Sequence, residues 1–500
     1  MAAHLSKALP SLPSGFVRQL QHCLGKPFVL TRPEELLTYN CDAYLLQQAL
    51  PQLVVLPSTS QQVQQVVWLC NQYQIPFTPR GAGTGLSGGA LAIQGGVLVA
   101  LNRMQQLMTL DEANRTATVQ AGLVNGHLNE RLAHSGLFFA PDPSSQSAST
   151  LGGNIAENAG GIHCLGYGVT TDHILALEMV TPEGDMVWVG NHQRFQSGLP
   201  WTRLLTGSEG TMGIVTQAVV QLTPIPQAIQ VFLAAFPSIE TAAHCVSAIM
   251  ADTETPAIAP AALELMDAFT VRCVNEAFQV GFPENSQAVL LIELDGPQTS
   301  VAQRGQRLHQ LLVHHQAQQI RHATEAAERH ALWQARKKAV ASYGRFYPAF
   351  YLHDCVIPRS QLAPVLSQII AICQHHQVAI ANVFHAGDGN LHPHLLFHPQ
   401  EPGINERVHA AGEAIIECCL KAGGTLSGEH GIGIEKSHLM PRVFSDADMA
   451  AMQGLKIAFD PHQRCNPNKI FPTRSSCGET HVLSKAQTQQ AALLKKGLWV

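Results

Sequence analysis

The sequence predicts an α+β protein of two or three domains, and three observations predict it. From residue 226 onward, strand-like apolar runs at 230–236 and 288–295 alternate with amphipathic helical stretches at 238–250 and 298–315. In the N-terminal half, short strands are interleaved with tracts of glycine and hydroxyl residues at 80–89, 150–161 and 204–215. The glycines there sit among β-branched and apolar residues, which argues for ordered turns rather than linkers. Near the C-terminal third, two clusters of histidine and glutamate are set between glycines. A chain of 500 residues supplies a large core for several domains.

Composition bounds the function classes. Apolar residues make up 46% and charged residues only 13%, about half the usual charged share. Glutamine and histidine fill exposed positions instead. The net charge is −5 with no basic stripe, which argues against a nucleic-acid partner. No apolar run approaches the ~18 residues of a membrane span, and residues 1–15 lack the apolar core of a secretion signal. The twelve cysteines contain no Cys-x-x-Cys. That argues against a disulfide framework, and against a cysteine-ligated iron–sulfur cluster in this chain. Reduced thiols in a cytoplasmic enzyme fit best.

Taken in order, residues 1–50 read as short helices around prolines, 54–57 as a strand, and 59–73 as a helix. Thr59 or Ser60 caps that helix, and Val63, Val66, Val67 and Cys70 form its apolar face. Arg80-Gly81-Ala82-Gly83-Thr84-Gly85-Leu86-Ser87-Gly88-Gly89 formally contains Gly-x-Gly-x-x-Gly, but a strand at 97–101 follows it. A dinucleotide fingerprint should open a helix instead. A nest of backbone N–H groups beside Arg80, Thr84 and Ser87 still suits a pyrophosphate; a purely structural glycine loop reads the same way. Residues 116–122 are a strand, 123–135 a helix, and 141–145 a rigid turn. The tract 150–161 lets backbone donors approach a planar ligand. A buried strand at 174–181 turns at 182–185 into 186–190.

The chemistry concentrates at 383–394. Apolar runs flank Ala386-Gly387-Asp388-Gly389-Asn390, which reads as a hairpin turn. The simplest register places His385 opposite His392, close enough for two imidazoles to share a metal. His394 points to the same face. A helix at 405–421 stops at Gly423-Gly424, and Glu429-His430 follow between glycines. Two imidazoles and a carboxylate make a ligand set with open positions, as a catalytic metal needs. His430 is then free to move protons.

These motifs, with Asn466-Pro467-Asn468-Lys469, resemble the FAD-linked oxidase family of the vanillyl-alcohol oxidase and p-cresol methylhydroxylase type. The resemblance spans roughly residues 38–472. Within the family it most resembles the flavin subunits of bacterial glycolate oxidases, relatives of D-lactate and D-2-hydroxyglutarate dehydrogenases. It implies an FAD-binding domain of two α+β subdomains at 1–225 and an α+β cap domain with an antiparallel sheet at 226–420, entered at the hinge Pro224-Ile225-Pro226. A segment at 421–475 returns to the flavin, and a tail at 476–500 carries no readable motif.

The resemblance also assigns residues. Arg80, Gly81, Ala82, Gly83, Thr84 and Gly85, with Leu86 and Ser87, are expected to hold the pyrophosphate. Pro141, Asp142, Ser144, Gly152, Gly153, Asn154, Asn158, Gly160, Gly161, Glu209, Gly210, Ile214 and Asn468 are expected around the rest of FAD. Some relatives attach FAD through a histidine; Leu86-Ser87 follow the glycines here, so FAD is expected to be non-covalent. Arg336, in Leu332-Trp333-Gln334-Ala335-Arg336-Lys337-Lys338, is expected to grip a substrate carboxylate, a task that suits a guanidinium fork. Arg345, His394 and Asn390 are further substrate candidates. The hydroxyglutarate-type relatives carry a lysine near Leu352 that is missing here.

The expected reaction is oxidation of glycolate or a small D-2-hydroxy acid to the 2-oxo acid. A divalent metal (Zn, Mn or Fe) sits on His385, His392 and Glu429, and His430 is the base. Electrons are expected to pass to a non-oxygen acceptor, through an iron–sulfur or quinone-linked partner that would hold the chain at the inner face of a membrane; a homodimer is also open. The rivals are a D-2-hydroxyglutarate-type dehydrogenase, a non-catalytic FAD-fold subunit, and a metallohydrolase. The last leaves the glycine tracts unexplained.

Overall fold

The computed structural model describes residues 11–44, 46–191, 198–255, 257–283 and 285–472. The expected tail at 476–500 lies outside these.

The first layer is a four-stranded sheet in the order Val29–Leu30, Leu53–Val55, Val97–Ala100, Phe77–Arg80. Its last three strands run parallel. The crossover helix Ser60–Tyr73 is capped by Thr59, whose hydroxyl accepts the Gln62 N–H at 3.2 Å. It buries Val63, Val66, Val67 and Cys70 completely. The crossover delivers Arg80 to the carboxyl end of its strand, where the glycine loop begins.

A five-stranded antiparallel sheet follows, in the order Leu107–Asp111, Thr116–Gln120, Ile214–Gln221, Ile174–Val180, Met186–Gly190. The helix expected at 123–135 is shorter, Asn125–Arg131. The glycine tract expected as turns is in part a helix, Leu151–Glu157, with Thr150 as its cap. Glycine serves close approach here: a Cβ on Gly152 would stand 2.7 Å from that of Ala121. The helix therefore lies directly against the strand ends.

The third layer is built on an antiparallel sheet. Its strands Gln319–Ala323, Ala228–Phe236, Ala288–Gly296, Ala262–Asp267 and Ala379–His385 are neighbours in that order. Along Ala288–Gly296 the side chains alternate as the strand period demands. Leu290 and Ile292 join the core under helices Ile239–Met250, Gln298–His314, Leu362–His375 and Ile404–Lys421. Val289 and Leu291 join the core beneath Ala268–Phe278 and Ala326–Lys337.

The hairpin register differs from the simplest expectation. His385 pairs with Asn390, and Asn382 with Pro393. His392 is therefore a diagonal neighbour of His385, on the same face. Diagonal side chains of this length still meet, and the two rings are 5.1 Å apart.

The C-terminal segment binds back onto the N-terminal layers. Phe77 N–H donates to Arg464 O, and Asn466 N–H to Phe77 O. Asn466 Nδ2 donates to Gly89 O and Glu209 O, and Lys469 Nζ to Gly88 O and Leu91 O.

Candidate active site

One continuous cavity runs from the glycine loop, past the helix Leu151–Glu157, to the histidines of the hairpin. Its far end is lined by residues 80–86. Arg80 is buried there; Nη2 donates to Cys41 O at 2.8 Å, while Nη1 has no partner. Gly83 has φ +73°, and any Cβ on it would collide with the Arg80 guanidinium. A buried guanidinium with a spare donor, packed under Gly83, fits an anionic group such as the FAD pyrophosphate. Ser144, Gly152, Gly153, Asn154, Gly160, Glu209, Gly210 and Ile214 line the middle of the cavity. Gly160 leaves room for Glu429: a Cβ there would stand 3.3 Å from the Glu429 Cβ and closer still to its carboxylate.

At the near end, His385 Nε2 lies 3.2 Å from Glu429 Oε1, and His392 Nε2 lies 3.4 Å from the same oxygen. Such separations match the edges of a coordination shell with ~2.0–2.2 Å bonds. The donor chemistry and spacing thus fit a divalent cation on His385, His392 and Glu429. Despite burial, His385 foremost, then His392 and His430, hold the Glu429 carboxyl down at about 2. His430 stacks on His392, ring centroids 5.0 Å apart. Burial pushes the His430 imidazole down to about 4, outweighing Asp354 and Glu429. His394 lines the cavity against Tyr343 and Phe350, with both ring nitrogens unpartnered. It stands outside the cation cluster.

Two organising carboxylates are invisible to sequence reasoning. Asp354 follows the strand Ala349–Leu352 and is fully buried. Its Oδ2 accepts the Ser427 hydroxyl at 2.6 Å and the N–H groups of Gly428, Glu429 and His430 at 3.0, 3.2 and 2.9 Å. It folds the loop that presents Glu429 and His430. Glu264, on Ala262–Asp267, is also fully buried. One oxygen meets His385 Nδ1 at 2.7 Å; the other takes Arg336 Nε at 2.7 Å and also Nη2. The only signal either carries in the sequence is a lone acid within an apolar stretch.

Several expected residues stand off the cavity wall. Arg345 is exposed and donates to Glu276 O, because the turn Tyr343–Arg345 buries Tyr343 and sends the arginine outward. Asn390 is spent on packing under Gly428, where a Cβ would stand 2.6 Å from its Cγ. Ser87 is buried, its carbonyl accepting the Ile434 N–H. Pro141 accepts from Asn125 Nδ2. Asp142 pairs with His163 at 2.9 Å and Lys337 at 3.1 Å, and Gly161 packs against it. Asn158 ends its helix in the left-handed region and accepts from Thr171 N–H. Asn468 is off the wall too, and its neighbours Asn466 and Lys469 make the contacts to the glycine loop.

A glycine loop suited to an anion, joined by one cavity to a cluster of imidazoles and carboxylate on this α+β frame, fits a flavin-dependent oxidoreductase. Residues 51–190 match the family described as FAD binding domain, and residues 225–470 match FAD linked oxidases, C-terminal domain. The chain belongs to the FAD-linked oxidase family. It is 40% identical over 451 residues to the glycolate oxidase subunit GlcD of Escherichia coli (strain K12), 90% of each chain. It is 30% identical over 433 residues to the D-lactate dehydrogenase of Anaerostipes hadrus, covering 85% of this chain and 90% of that one. The fold is shared with p-cresol methylhydroxylase at TM-score 0.76 and 16% identity, over 91% of this chain and 95% of that one.

Proposed function

We propose that the chain oxidises a small 2-hydroxy acid, glycolate or D-lactate, to the 2-oxo acid. One observation carries this reading: Arg336, the cluster His385–His392–Glu429 and His430 all line the same cavity as the glycine loop. Arg336 offers a fork to a carboxylate. His430 Nε2, on the Glu429 side of its ring, takes the proton of the C2 hydroxyl. A divalent cation on His385, His392 and Glu429 would supply the Lewis acidity that makes this hydroxyl acidic. Bound FAD would supply the acceptor for the C2 hydrogen together with its electron pair.

Val340, Phe350 and Leu352 give the cavity an apolar wall. That wall suits hydrogen or methyl on C2 better than a second carboxylate. One methyl separates glycolate from D-lactate, a difference worth only ~1–3 kcal/mol, so the wall admits both.

The relative named a glycolate oxidase subunit supports assembly with further subunits; we infer that one of them takes the electrons, as an iron–sulfur or quinone-linked partner at the inner face of a membrane. Among the described residues no helix is long and apolar enough to cross a membrane. The test is dye reduction by the purified chain with glycolate, D-lactate, L-lactate and D-2-hydroxyglutarate. Turnover should appear with the first two. Turnover only with D-2-hydroxyglutarate would favour the diacid dehydrogenase.

A further inference from the structure

Glu264 touches both halves of the proposed site. It pairs with His385 across adjacent antiparallel strands and has no solvent exposure. Its Oε1 meets His385 Nδ1 at 2.7 Å. Its Oε2 meets Arg336 Nε at 2.7 Å, and Nη2 as well. Both partners are themselves buried, His385 at 5% exposure and Arg336 at 4%.

Each contact has a consequence. An anion facing Nδ1 requires that nitrogen to carry the proton, which leaves the Nε2 lone pair of His385 toward Glu429 and a cation. An anion along the Nε–Nη2 edge of Arg336 fixes the plane of the guanidinium and leaves Nη1 and the second N–H of Nη2 as the fork for a substrate carboxylate. Both donors depend on one buried charge.

We propose that Glu264 is a positioning residue that couples cation loading at His385 to carboxylate gripping at Arg336. This rests on the 2-hydroxy-acid reading above and deepens it. Glutamine at 264 has a single acceptor oxygen and an amide donor, so it cannot accept from both Arg336 and His385. With the charge gone both partners suffer together: the Nδ1 proton of His385 loses the anion that fixes its tautomer, and Arg336 loses its ion pair. Aspartate keeps the charge and both acceptors on a stem one methylene shorter.

The experiment is Mn²⁺ or Zn²⁺ dialysis against metal-stripped, FAD-loaded protein, with metal counted by mass spectrometry. In parallel, propionate, an unreactive carboxylate, is titrated by its perturbation of the flavin spectrum. Glu264→Gln should weaken cation binding about 10–100-fold, the usual cost of losing such a support, weaken propionate binding as well, and leave FAD content unchanged. Glu264→Asp should fall between wild type and Gln. Wild-type affinity for the cation in Glu264→Gln, or weakened cation binding with propionate unaffected, overturns the coupling. Where only Glu264→Asp retains FAD, a shorter carboxylate cannot span both partners, and unchanged affinity for both ligands overturns the proposal. A wild-type chain whose cation binding survives His385→Ala sinks the centre itself, a failure distinct from that of Glu264 alone.

Discussion

Oδ2 of Asp354 accepts the backbone N–H of His430 at 2.9 Å, and the same oxygen gathers the two preceding N–H groups and the Ser427 hydroxyl. The proposed base His430 and the proposed ligand Glu429 are thus presented by a loop wound around one buried anion. Lys436 lies 3.5 Å away. Against burial, His430 and Lys436 hold the Asp354 carboxyl well below the usual range. Asparagine would keep the shape and lose the charge. Asp354→Asn should lower kcat at least about tenfold with FAD retained. His430→Ala should lower it by about 10²–10⁴, the range of a lost general base. Steady-state kinetics on yellow, folded protein checks both; near-wild-type turnover of His430→Ala removes it as the base.

Removal of the proposed cation should abolish turnover without releasing FAD, since none of the three cluster residues belongs to the glycine loop. Dialysis against a chelator, followed by flavin absorbance, activity, and re-addition of Mn²⁺ or Zn²⁺, reads this. His385→Ala, His392→Ala and Glu429→Gln should each fail to recover on re-addition. Full activity in the chelated protein contradicts the reading.

Leu352 lies on the apolar wall, at the place where hydroxyglutarate-type relatives are expected to carry a lysine. Leu352→Lys should raise kcat/KM for D-2-hydroxyglutarate at least about tenfold relative to D-lactate, because a distal carboxylate then gains a charge partner. A ratio unchanged from wild type rules out this wall as the selector.

His163 bridges the layers: Nδ1 meets Asp142 at 2.9 Å and Nε2 meets Glu293 at 3.1 Å. Against burial, Asp142 first and then Glu293 raise the imidazole to about 10. A raised folded-state value contributes stability that is complete below the unfolded value of about 6.5 and is lost as pH climbs through the folded one. The Tm gap between wild type and His163→Gln should therefore be widest below pH ~6.5 and shrink steadily toward pH ~10. A gap that is constant over that window would show that the imidazolium is not the source.

What the sequence conveys well is local. Thr59 and its helix follow from capping and period alone, and the two faces of Ala288–Gly296 follow from alternation. The nearness of His385 and His392 follows from a hairpin of any plausible register; which residue stands opposite does not, since a small change in turn length moves the partner from His392 to Asn390. Arg345 and Asn390 misled because side-chain direction is set by a 3₁₀ turn and by packing under Gly428, neither of which leaves a mark in composition. Glu264 stands 121 residues from His385 in the chain, and Asp354 stands 75 from Glu429. Their roles arise from strand pairing and loop closure at long range, which no short motif encodes.

The central claim is that a 2-hydroxy acid gives its electrons to flavin beside these histidines. Anaerobic stopped-flow mixing of the purified protein with D-lactate or glycolate, protiated and deuterated at C2, tests it most directly. The flavin absorbance should bleach in a single turnover, more slowly with the deuterated acid and hardly at all in His430→Ala. A flavin that stays yellow with both acids, or bleaches equally fast without His430, would contradict it.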